Sequence, residues 1–540
     1  MSHLSQPLQD KLAWLAEGNH HLLKVILRGM EKESLRVNTE GTLALTDHPK
    51  ALGSTLTHPH ITTDYSEALM EFITQPHTSV DALLGQLSDI HTFTYKHLGD
   101  EVLWAASMPC AVGADKDIPV ARYGNSNTGT MKTIYRVGLG HRYGRTMQTI
   151  AGVHYNFSFS DELIAALQAK SGSKLSFQDF KTQSYFDLIR NFRRYFWLLV
   201  YLYGAAPAVC KSFVKDRPHK LQAFGQDSHS LHLPNATSLR MGNLGYQSDA
   251  QQSLTVCYNN LNTYLKTLCG AITQGHKDYQ DIGLKDAAGD YKQLNTSLLQ
   301  IENEFYSTIR PKRTSQRGET ALNALHARGV EYIEVRCVDL NPYEPLGVTR
   351  DQLHVMDAFL LFCLLEQSPE TDADEYADML ENQKRVVEQG RDPALTLRQQ
   401  GKERKIQDWT KDIFAAMASC AAILDQGADT QDFSAAVERA SVQASDPTAT
   451  PAAKFLADMA AHNKTFFQLA KDLSVEHAEF FKQRSLSKDK QNLFERLTKE
   501  SLAAQAQLEQ DQEQQEPFED YLAKFYAQYT CCDKPKFNCL

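Results

Sequence analysis

The sequence lacks any apolar run long enough to cross a membrane. Its longest runs, 195–203 and 358–365, fall well short of the roughly 20 residues that a membrane-spanning helix needs, so we expect both to form buried helix segments. The first 18 residues are polar and mixed, without the apolar core of a signal peptide. We therefore expect a cytoplasmic protein with no membrane partner.

Cysteine is sparse and scattered. The ten cysteines form no Cys-x-x-Cys pair and no Cys/His spacing typical of a zinc site. Without a signal peptide, we expect reduced thiols. Cys531, Cys532 and Cys539 gather near the end of the chain, where a frayed tail is a simpler interpretation than a redox or metal-binding role.

Long basic tracts are also missing, and the formal net charge is -10. This balance excludes nucleic acid as a main partner, but a local pocket of Arg and Lys could still hold a small anion. With 540 residues the chain can build a large core and more than one domain.

What the sequence does contain is a set of alternating segments with charged residues on one face. Residues 331–336 alternate as a strand does, so Glu334 and Arg336 point to one side while Ile333 and Val335 point to the other. A surface ion pair would explain this segment alone. Glu31 and Glu33 share a face in the same way, within a segment that a solvated charged strand would also explain.

Two further segments carry polar groups into apolar surroundings. Residues 61–74 fit either a helix that aligns Glu67 with Glu71 or a strand at 69–74 in which Glu71 is the one charge. Burying a lone carboxylate is costly unless a cation lies beside it, which makes Glu71 a candidate metal ligand. Residues 149–159 alternate cleanly and place His154 with Asn156 and Ser158 on one polar face.

Several other stretches suggest anion binding. Residues 124–133 only loosely resemble a phosphate-binding loop, since two residues separate the second Gly from Lys132; we reject a P-loop and keep a weak candidate for backbone contacts to an anion. Residues 236–246 are loop-like and bring an Arg and a Tyr close together. Arg310, Lys312 and Arg313 form a local basic cluster suited to a phosphate chain. Arg193 and Arg194 are most simply solvent-facing.

The pattern changes after Pro345, where helical periodicity takes over, as in the apolar stripe of Phe414, Met417, Ala421 and Leu424. We expect a sheet-containing catalytic domain over residues 1–385. A mostly helical region with a Cys-containing tail follows over residues 386–540.

Oxygen-rich clusters with one imidazole suit Mg²⁺ or Mn²⁺ more than structural zinc. Carboxylate-held divalent ions usually serve phosphate substrates, and a neighbouring Arg can neutralise charge on a transferred phosphoryl group. The residues alone therefore indicate metal-dependent phosphoryl chemistry on a β-sheet, without naming the substrates.

Five motifs in order closely resemble the proteobacterial glutamate–cysteine ligases. They are RGMEKESLRVN at 28–38, ITTD followed by LMEFIT between 61 and 74, GVHYNFS at 152–158, ATSLR at 236–240 and YIEVR at 332–336. The resemblance runs from about residue 11 to about 383 and weakens in the C-terminal third.

The resemblance implies an α+β fold similar to the catalytic domain of glutamine synthetase, with a curved, mainly antiparallel sheet forming a funnel flanked by helices. By resemblance the metal ligands would be Glu31, Glu33, Asp64, Glu71, His154 and Glu334. Arg336 would contact the transferred phosphoryl group and Arg240 a substrate carboxylate. The cysteine pocket would be lined by Tyr135, Gln148, Tyr246 and Tyr306.

The implied reaction uses ATP to convert the γ-carboxylate of L-glutamate into an acyl phosphate, which the amine of L-cysteine then attacks to give γ-glutamylcysteine, the first step of glutathione synthesis. The resemblance also implies a monomer with feedback inhibition by glutathione. The alternatives are a related ligase joining glutamate to another amine, a guanidino-type phosphotransferase, or a metal-binding interaction protein whose helical part docks a partner.

Overall fold

The structure is a computed structural model that describes residues 5–215, 217–225, 227–245, 254–316, 318–512 and 516–530. The strands are β1 Ile26–Val37, β2 Ile61–Thr63, β3 Leu69–Ile73, β4 Val102–Leu103, β5 Val153–Phe159, β6 Ala208–Cys210, β7 Gln222–Phe224, β8 Asp227–His232, β9 Ile309–Lys312, β10 Tyr332–Val338, β11 Thr396–Gln399 and β12 Lys402–Lys405. The α-helices of the sheet-containing part are α1 Gln6–Trp14, α2 Val80–Tyr95, α3 Asn127–Tyr143, α4 Asp161–Ser171, α5 Phe177–Tyr195, α6 Trp197–Tyr203, α7 Leu261–Thr273, α8 Lys277–Ile282, α9 Ala321–Arg328, α10 Arg350–Leu365 and α11 Ala373–Gln389. Beyond them lie α12 Ile406–Ala428, α13 Asp432–Ser445, α14 Pro451–Ala461, α15 Phe466–Gln483, α16 Lys488–Gln512 and α17 Phe518–Tyr526.

The main sheet is antiparallel throughout. Its order is β2-β3-β1-β5-β10-β9, with β4 added to the end of β1. Alternation along β1, β5 and β10 divides the sheet into two faces. Helices flank it, which confirms the α+β fold expected from the sequence.

The apolar face of the sheet rests on α10, nearly all of which is buried. Polar contacts fix the two layers. Arg28 on β1 pairs with Asp357 of α10 at 2.7 Å, and the hydroxyl of Tyr155 on β5 donates to the same carboxylate at 2.7 Å. Because the partners are buried together, these contacts set the position of the strands over the helix.

The C-terminal part is helical, as expected, except for the hairpin of β11 and β12. Helices α12 and α13 pack against α10 and join the same apolar core. No helix in the described part of the chain is both long and apolar enough to cross a membrane.

Two local expectations need correction, and one open alternative is decided. Residues 127–133 form the start of α3, capped by the Ser126 side chain, and not a loop. Arg194 is buried and pairs with Glu375 at 2.6 Å, while Arg193 stacks on the rings of Tyr258 and Tyr376. The segment at 69–74 is a strand, the second of the two alternatives.

The expectation of reduced thiols is wrong for Cys110, Cys210 and Cys269, which are disulfide-bonded. Cys110 and Cys210 form a disulfide that joins the segment after β4 to the end of β6, with their Cα atoms 5.5 Å apart. Cys257, Cys337, Cys363 and Cys420 are free and buried. Cys531, Cys532 and Cys539 lie outside the described residues.

Candidate active site

The register of the sheet brings the predicted acidic residues together on its polar face. Glu31 of β1 lies directly opposite His154 of β5, and Glu33 lies directly opposite Glu71 of β3. Glu334 of β10 lies opposite Asn156, two positions along β5 from His154. Directly paired side chains on one face are neighbours, so three strands build a single acidic cluster around one imidazole.

The tightest part of this cluster has the geometry of a metal site. One ligand atom from each of Glu31, His154 and Glu334 lies within 4.8 Å of the others. His154 Nδ1 is 3.2 Å from a Glu31 oxygen and 3.7 Å from a Glu334 oxygen. The amide of Asn156 donates to the other Glu31 oxygen at 2.8 Å, which fixes that carboxylate.

Glu33 and Asp64 extend the cluster toward the far end of β1. Glu33 is held by the backbone N–H of Gly152 at 2.7 Å, and its second oxygen is 3.8 Å from His154 Nε2. Asp64 lies 3.6 Å from the guanidinium of Arg136 on α3. All six predicted metal ligands therefore lie on one face of the sheet or at its edge.

The ionisation of these carboxylates reflects their crowding. Burial and the charges of Glu31, Asp64 and Glu33 raise the pKa of Glu71 well above its usual value. Burial also raises the pKa of Glu33, against the opposing effect of His154. Burial acts to raise the pKa of Glu31 as well, but the hydrogen bond and charge of His154 hold that pKa below its usual value.

Glu334 differs because cations surround it. Its oxygens lie 3.1 Å from Lys312 Nζ, 3.9 Å from Arg336 Nε and 4.0 Å from Arg310. Burial acts to raise the pKa of Glu334, but Lys312, Arg336 and His154 outweigh it and keep the carboxylate ionised. Arg313 does not join this group, since it faces Glu331 at 3.7 Å and donates to the carbonyl of Arg328.

A cavity of about 110 Å³ opens beside the acidic cluster. One wall is α3, which contributes Tyr135, and the opposite wall contains Tyr306. Gln148 and Arg336 also line it, as do Glu33, Asp64 and Arg310, so seven predicted residues meet at one cavity. Lys132 lies one turn before Arg136 on α3, with its amine 5.2 Å from the ring centre of Tyr123.

Arg240 is fully buried at the end of the funnel. It pairs with Asp339 at 3.5 Å and donates to the carbonyl oxygen of Arg336 at 3.1 Å. Gly152 packs so closely that a Cβ atom there would lie 2.0 Å from the Arg240 guanidinium. Tyr246, the other predicted residue of this loop, lies outside the described residues.

The sequence interpretation missed four residues that shape the site: Arg136, Asn156, Asp339 and Glu304. Asn156 was visible on the polar face of its strand, and its contact with Glu31 follows from pairing β1 with β5. Arg136 follows Tyr135, but recognising that it faces Asp64 requires α3 to be a helix. Asp339 and Glu304 gave no local signal because their partners are remote in sequence.

Part of the segment near residue 124 is already hydrogen-bonded to the helical C-terminal part of the chain. The N–H of Asn125 already donates to Glu509 of α16 at 2.9 Å. The amide side chain of Asn127 donates to the carbonyl of Glu516 at 3.2 Å. The prediction of backbone contacts to a bound anion therefore does not apply to the N–H of Asn125, and it stays a prediction for the rest of the segment.

The donor set fits a divalent metal ion. Within the described part of the chain, no donor lies within hydrogen-bond distance of Glu334 Oε2, although the atom is buried. Burial, together with the charges of the neighbouring carboxylates, raises the pKa of Glu71, so a cation at this site would be favourable. Oxygen donors with one imidazole match Mg²⁺ or Mn²⁺.

Comparison with known proteins agrees with this geometry. The sequence model of the glutamate–cysteine ligase family matches residues 12–386. The glutamate–cysteine ligase of Saccharophagus degradans is 51% identical to the chain, and the match covers 96% of this chain and 97% of that protein. The glutamate–cysteine ligase of Pseudomonas paraeruginosa is 47% identical, and the match covers 97% of this chain and 98% of that protein. The crystal structure of the enzyme from Francisella tularensis in complex with AMP superposes with a TM-score of 0.88 at 35% identity, covering 94% of this chain and 99% of that one. The chain therefore belongs to the glutamate–cysteine ligase family.

Proposed function

We propose that this protein joins the γ-carboxylate of L-glutamate to the amino group of L-cysteine at the expense of ATP, through a γ-glutamyl phosphate, to give γ-glutamylcysteine, ADP and phosphate. The observation that supports this most is the arrangement on β10. Glu334 faces the acidic cluster while Arg336, two residues on, lines the adjacent cavity. Metal-binding oxygens and a phosphate-binding guanidinium thus lie side by side.

Mg²⁺ or Mn²⁺ would be held by Glu31, His154 and Glu334, with Glu33, Asp64 and Glu71 completing the donor set. When bound, such an ion spreads the charge of the ATP phosphates and aligns donor and acceptor oxygens. The same donors leave the site strongly anionic without metal, so ATP would be repelled from it.

The cations around Glu334 would also act on the phosphoryl group during its transfer. Arg336 is well placed to neutralise charge on the phosphoryl group during transfer, because its planar guanidinium can offer two parallel donors. Lys312 and Arg310 add positive charge at the same end. Lys132, on α3, is a weaker candidate for the phosphate chain, and Arg313 is not one.

The glutamate would lie at the end of the funnel where Arg240 is buried, with its α-carboxylate toward that guanidinium. The cavity walls formed by Tyr135, Gln148 and Tyr306, together with Tyr246, would then hold cysteine. Such walls orient the amine toward the acyl phosphate and keep water from hydrolysing it.

We further infer that the protein works as a monomer in the cytoplasm, where ATP is available. Glutathione carries a γ-glutamylcysteine unit, so it could fill the glutamate and cysteine positions together and inhibit the enzyme as a competitor. The family resemblance supports both points.

The test is ADP release from ATP, Mg²⁺ and glutamate, with and without cysteine. We expect release that requires cysteine and metal, with γ-glutamylcysteine identified by mass spectrometry. Release that ignores cysteine but responds to another amine would move the protein to a different carboxylate–amine ligase. Turnover that persists in EDTA would contradict the metal site.

A further inference from the structure

Residues 300–306, which we name the pocket wall, supply part of the cavity lining, and α3 supplies another part. The pocket wall contains Glu304 and Tyr306, both of which line the cavity. The pocket wall is a 3₁₀ turn flanked by extended backbone, so its own secondary structure does little to hold it in place.

Buried polar contacts attach the pocket wall to α3. Glu304 pairs with Arg142 at 2.8 Å, with both side chains fully buried, and accepts from the hydroxyl of Tyr143 at 2.7 Å. The side chain of Gln300 donates to the carbonyl of Tyr135 at 3.1 Å. The backbone N–H of Gln300 donates to Glu304 at 2.6 Å. Gln300 thus connects the two walls of the cavity.

The helix α17 also contacts Gln300, through Tyr526. The hydroxyl of Tyr526 donates to the carbonyl of Gln300 at 2.8 Å and accepts from the amide of Asn295 at 2.9 Å. Three residues on, the hydroxyl of Tyr529 donates to Glu302. The side chain of Gln528 bonds to the backbone of Gly318 and Thr320.

These contacts come from a part of the chain that the family model does not include, since the match ends at residue 386. These hydrogen bonds nevertheless join the C-terminal part to Gln300 and Glu302 of the pocket wall. Tyr526 is partly buried against the apolar core. The amide of Asn295 also donates to the Gln300 carbonyl, at 3.0 Å, so loss of the Tyr526 hydroxyl weakens the attachment of Gln300 without leaving its carbonyl unpaired.

We propose that Tyr526 is a positioning residue for the amine acceptor: through Gln300 it holds the pocket wall at the separation from α3 that the acceptor requires. This inference rests on the proposed function for the identity of the acceptor, cysteine. Tyr526 touches no substrate, and its effect passes through Gln300 and Glu304 to the cavity.

The experiment compares Tyr526→Phe with Tyr521→Phe in the full-length protein. Both changes remove one hydroxyl from α17, but among the described residues that of Tyr521 contacts the Thr128 side chain, at 3.3 Å, and not the pocket wall. We expect Tyr526→Phe to raise the KM for cysteine about threefold to tenfold, with kcat within about twofold and the KM for ATP unchanged. Tyr521→Phe should leave all three constants unchanged.

Hydrogen exchange supplies a readout that does not depend on the reaction. In Tyr526→Phe the amides of Leu294, Gln300 and Glu304 should exchange faster than in the wild type, while those of β1 and β5 stay protected. A purely structural role would lower the melting temperature without this local change or the selective KM effect. Equal KM for cysteine and equal exchange in the two variants would overturn the proposal.

Two further controls separate the possible failures. If Tyr526→Phe does not fold, Tyr529→Phe takes its place, because it removes the neighbouring bond to Glu302, and the same selective rise in KM is expected. The wild-type assay is run alongside. Loss of cysteine dependence there would count against the proposed function, whereas the exchange comparison would still decide the role of Tyr526.

Discussion

At the scale of single residues, two arginines that the sequence places near a phosphate, Arg336 and Arg313, have different surroundings. Arg336 lies beside Glu334, lines the cavity and has its guanidinium carbon 5.9 Å from the centre of the Tyr306 ring. Arg313 is turned toward Glu331 on the other side of the strand. Sequence alone places both near a phosphate, and only the structure distinguishes them.

Replacing Arg336 with Lys should therefore reduce turnover by about a hundredfold or more, because Lys offers a point charge in place of a planar pair of donors. The fold should be retained, since the positive charge beside Glu334 remains. The measurement is kcat for cysteine-dependent ADP release, with circular dichroism as the folding check. Arg313→Lys is the matched control and should be close to wild type; near-normal turnover in Arg336→Lys would refute the role of Arg336.

Glu71 allows a test of the metal site that does not depend on activity. Its pKa is raised above 4.5 by burial and by neighbouring carboxylates, so the metal-free folded state retains a proton that the unfolded state releases. The resulting stability is present below pH 4.5 and is lost as the pH rises through the folded-state pKa.

In EDTA, the melting temperature of the wild type minus that of Glu71→Gln should fall as the pH increases above about 4.5, because the variant lacks the titrating group. Added Mg²⁺ should stabilise the wild type more than the variant, since binding to the folded state alone raises stability. Parallel pH profiles in EDTA, or equal stabilisation by Mg²⁺, would contradict the assignment of Glu71.

At the scale of elements, strand periodicity was enough to predict which residues share the polar face. The alternation of β1, β5 and β10 placed Glu31, Glu33, His154 and Glu334 correctly, because one face of each strand packs on a buried core. The pairing order of the strands came only with the structure. It decides that Glu31 meets His154 and that Glu33 meets Glu71.

Helical elements were harder to interpret where their partners are remote. The Gly- and Asn-containing start of α3 looked like a loop because its capping residue, Ser126, is also a common loop residue. Arg194 looked exposed because two consecutive arginines in a helix usually face solvent. In the structure its guanidinium instead binds Glu375 of α11 and the carbonyl of Pro369 in the loop before that helix. The sequence around Arg194 does not identify a partner that lies so far along the chain.

The start of β5 provides a prediction about how one element positions another. Gly152 gives room for the buried Arg240, which Asp339 and the Arg336 carbonyl hold on the other side. A methyl group in Gly152→Ala would force the guanidinium to move. Because Arg240 is proposed to hold the glutamate carboxylate, the KM for glutamate should rise about tenfold or more.

Steady-state kinetics in glutamate measures this effect. The matched control is Gly85→Ala in α2, where an added Cβ meets no atom within 4 Å. That change should leave kinetics unaltered and stabilise the helix slightly, because Ala is a better helix former than Gly. An unchanged KM for glutamate in Gly152→Ala would show that Arg240 does not position this substrate.

At the scale of the whole molecule, the active site depends on segments that are far apart in the chain. The segment after β4 reaches the site through Ser107, whose carbonyl accepts from the N–H of Ala151 and whose hydroxyl accepts from the N–H of Leu340. Near β6, the carbonyl of Ala206 accepts from the N–H of Leu239, next to Arg240. The Cys110–Cys210 disulfide links these two segments across a sequence separation of 100 residues.

This cross-link should contribute strongly to stability, because it lowers the conformational entropy of the unfolded chain. For a loop of 100 residues the chain-entropy argument gives about 4–5 kcal/mol. The double variant Cys110→Ser/Cys210→Ser should therefore unfold at lower urea concentration than the wild type when no reductant is present. Adding a phosphine reductant should remove most of that difference by opening the wild-type disulfide.

Comparing both proteins under both conditions isolates this pair from the other cysteines, since any effect of reductant on those is common to the two proteins. A difference that persists unchanged in reductant would mean that the serines, and not the lost cross-link, destabilise the variant.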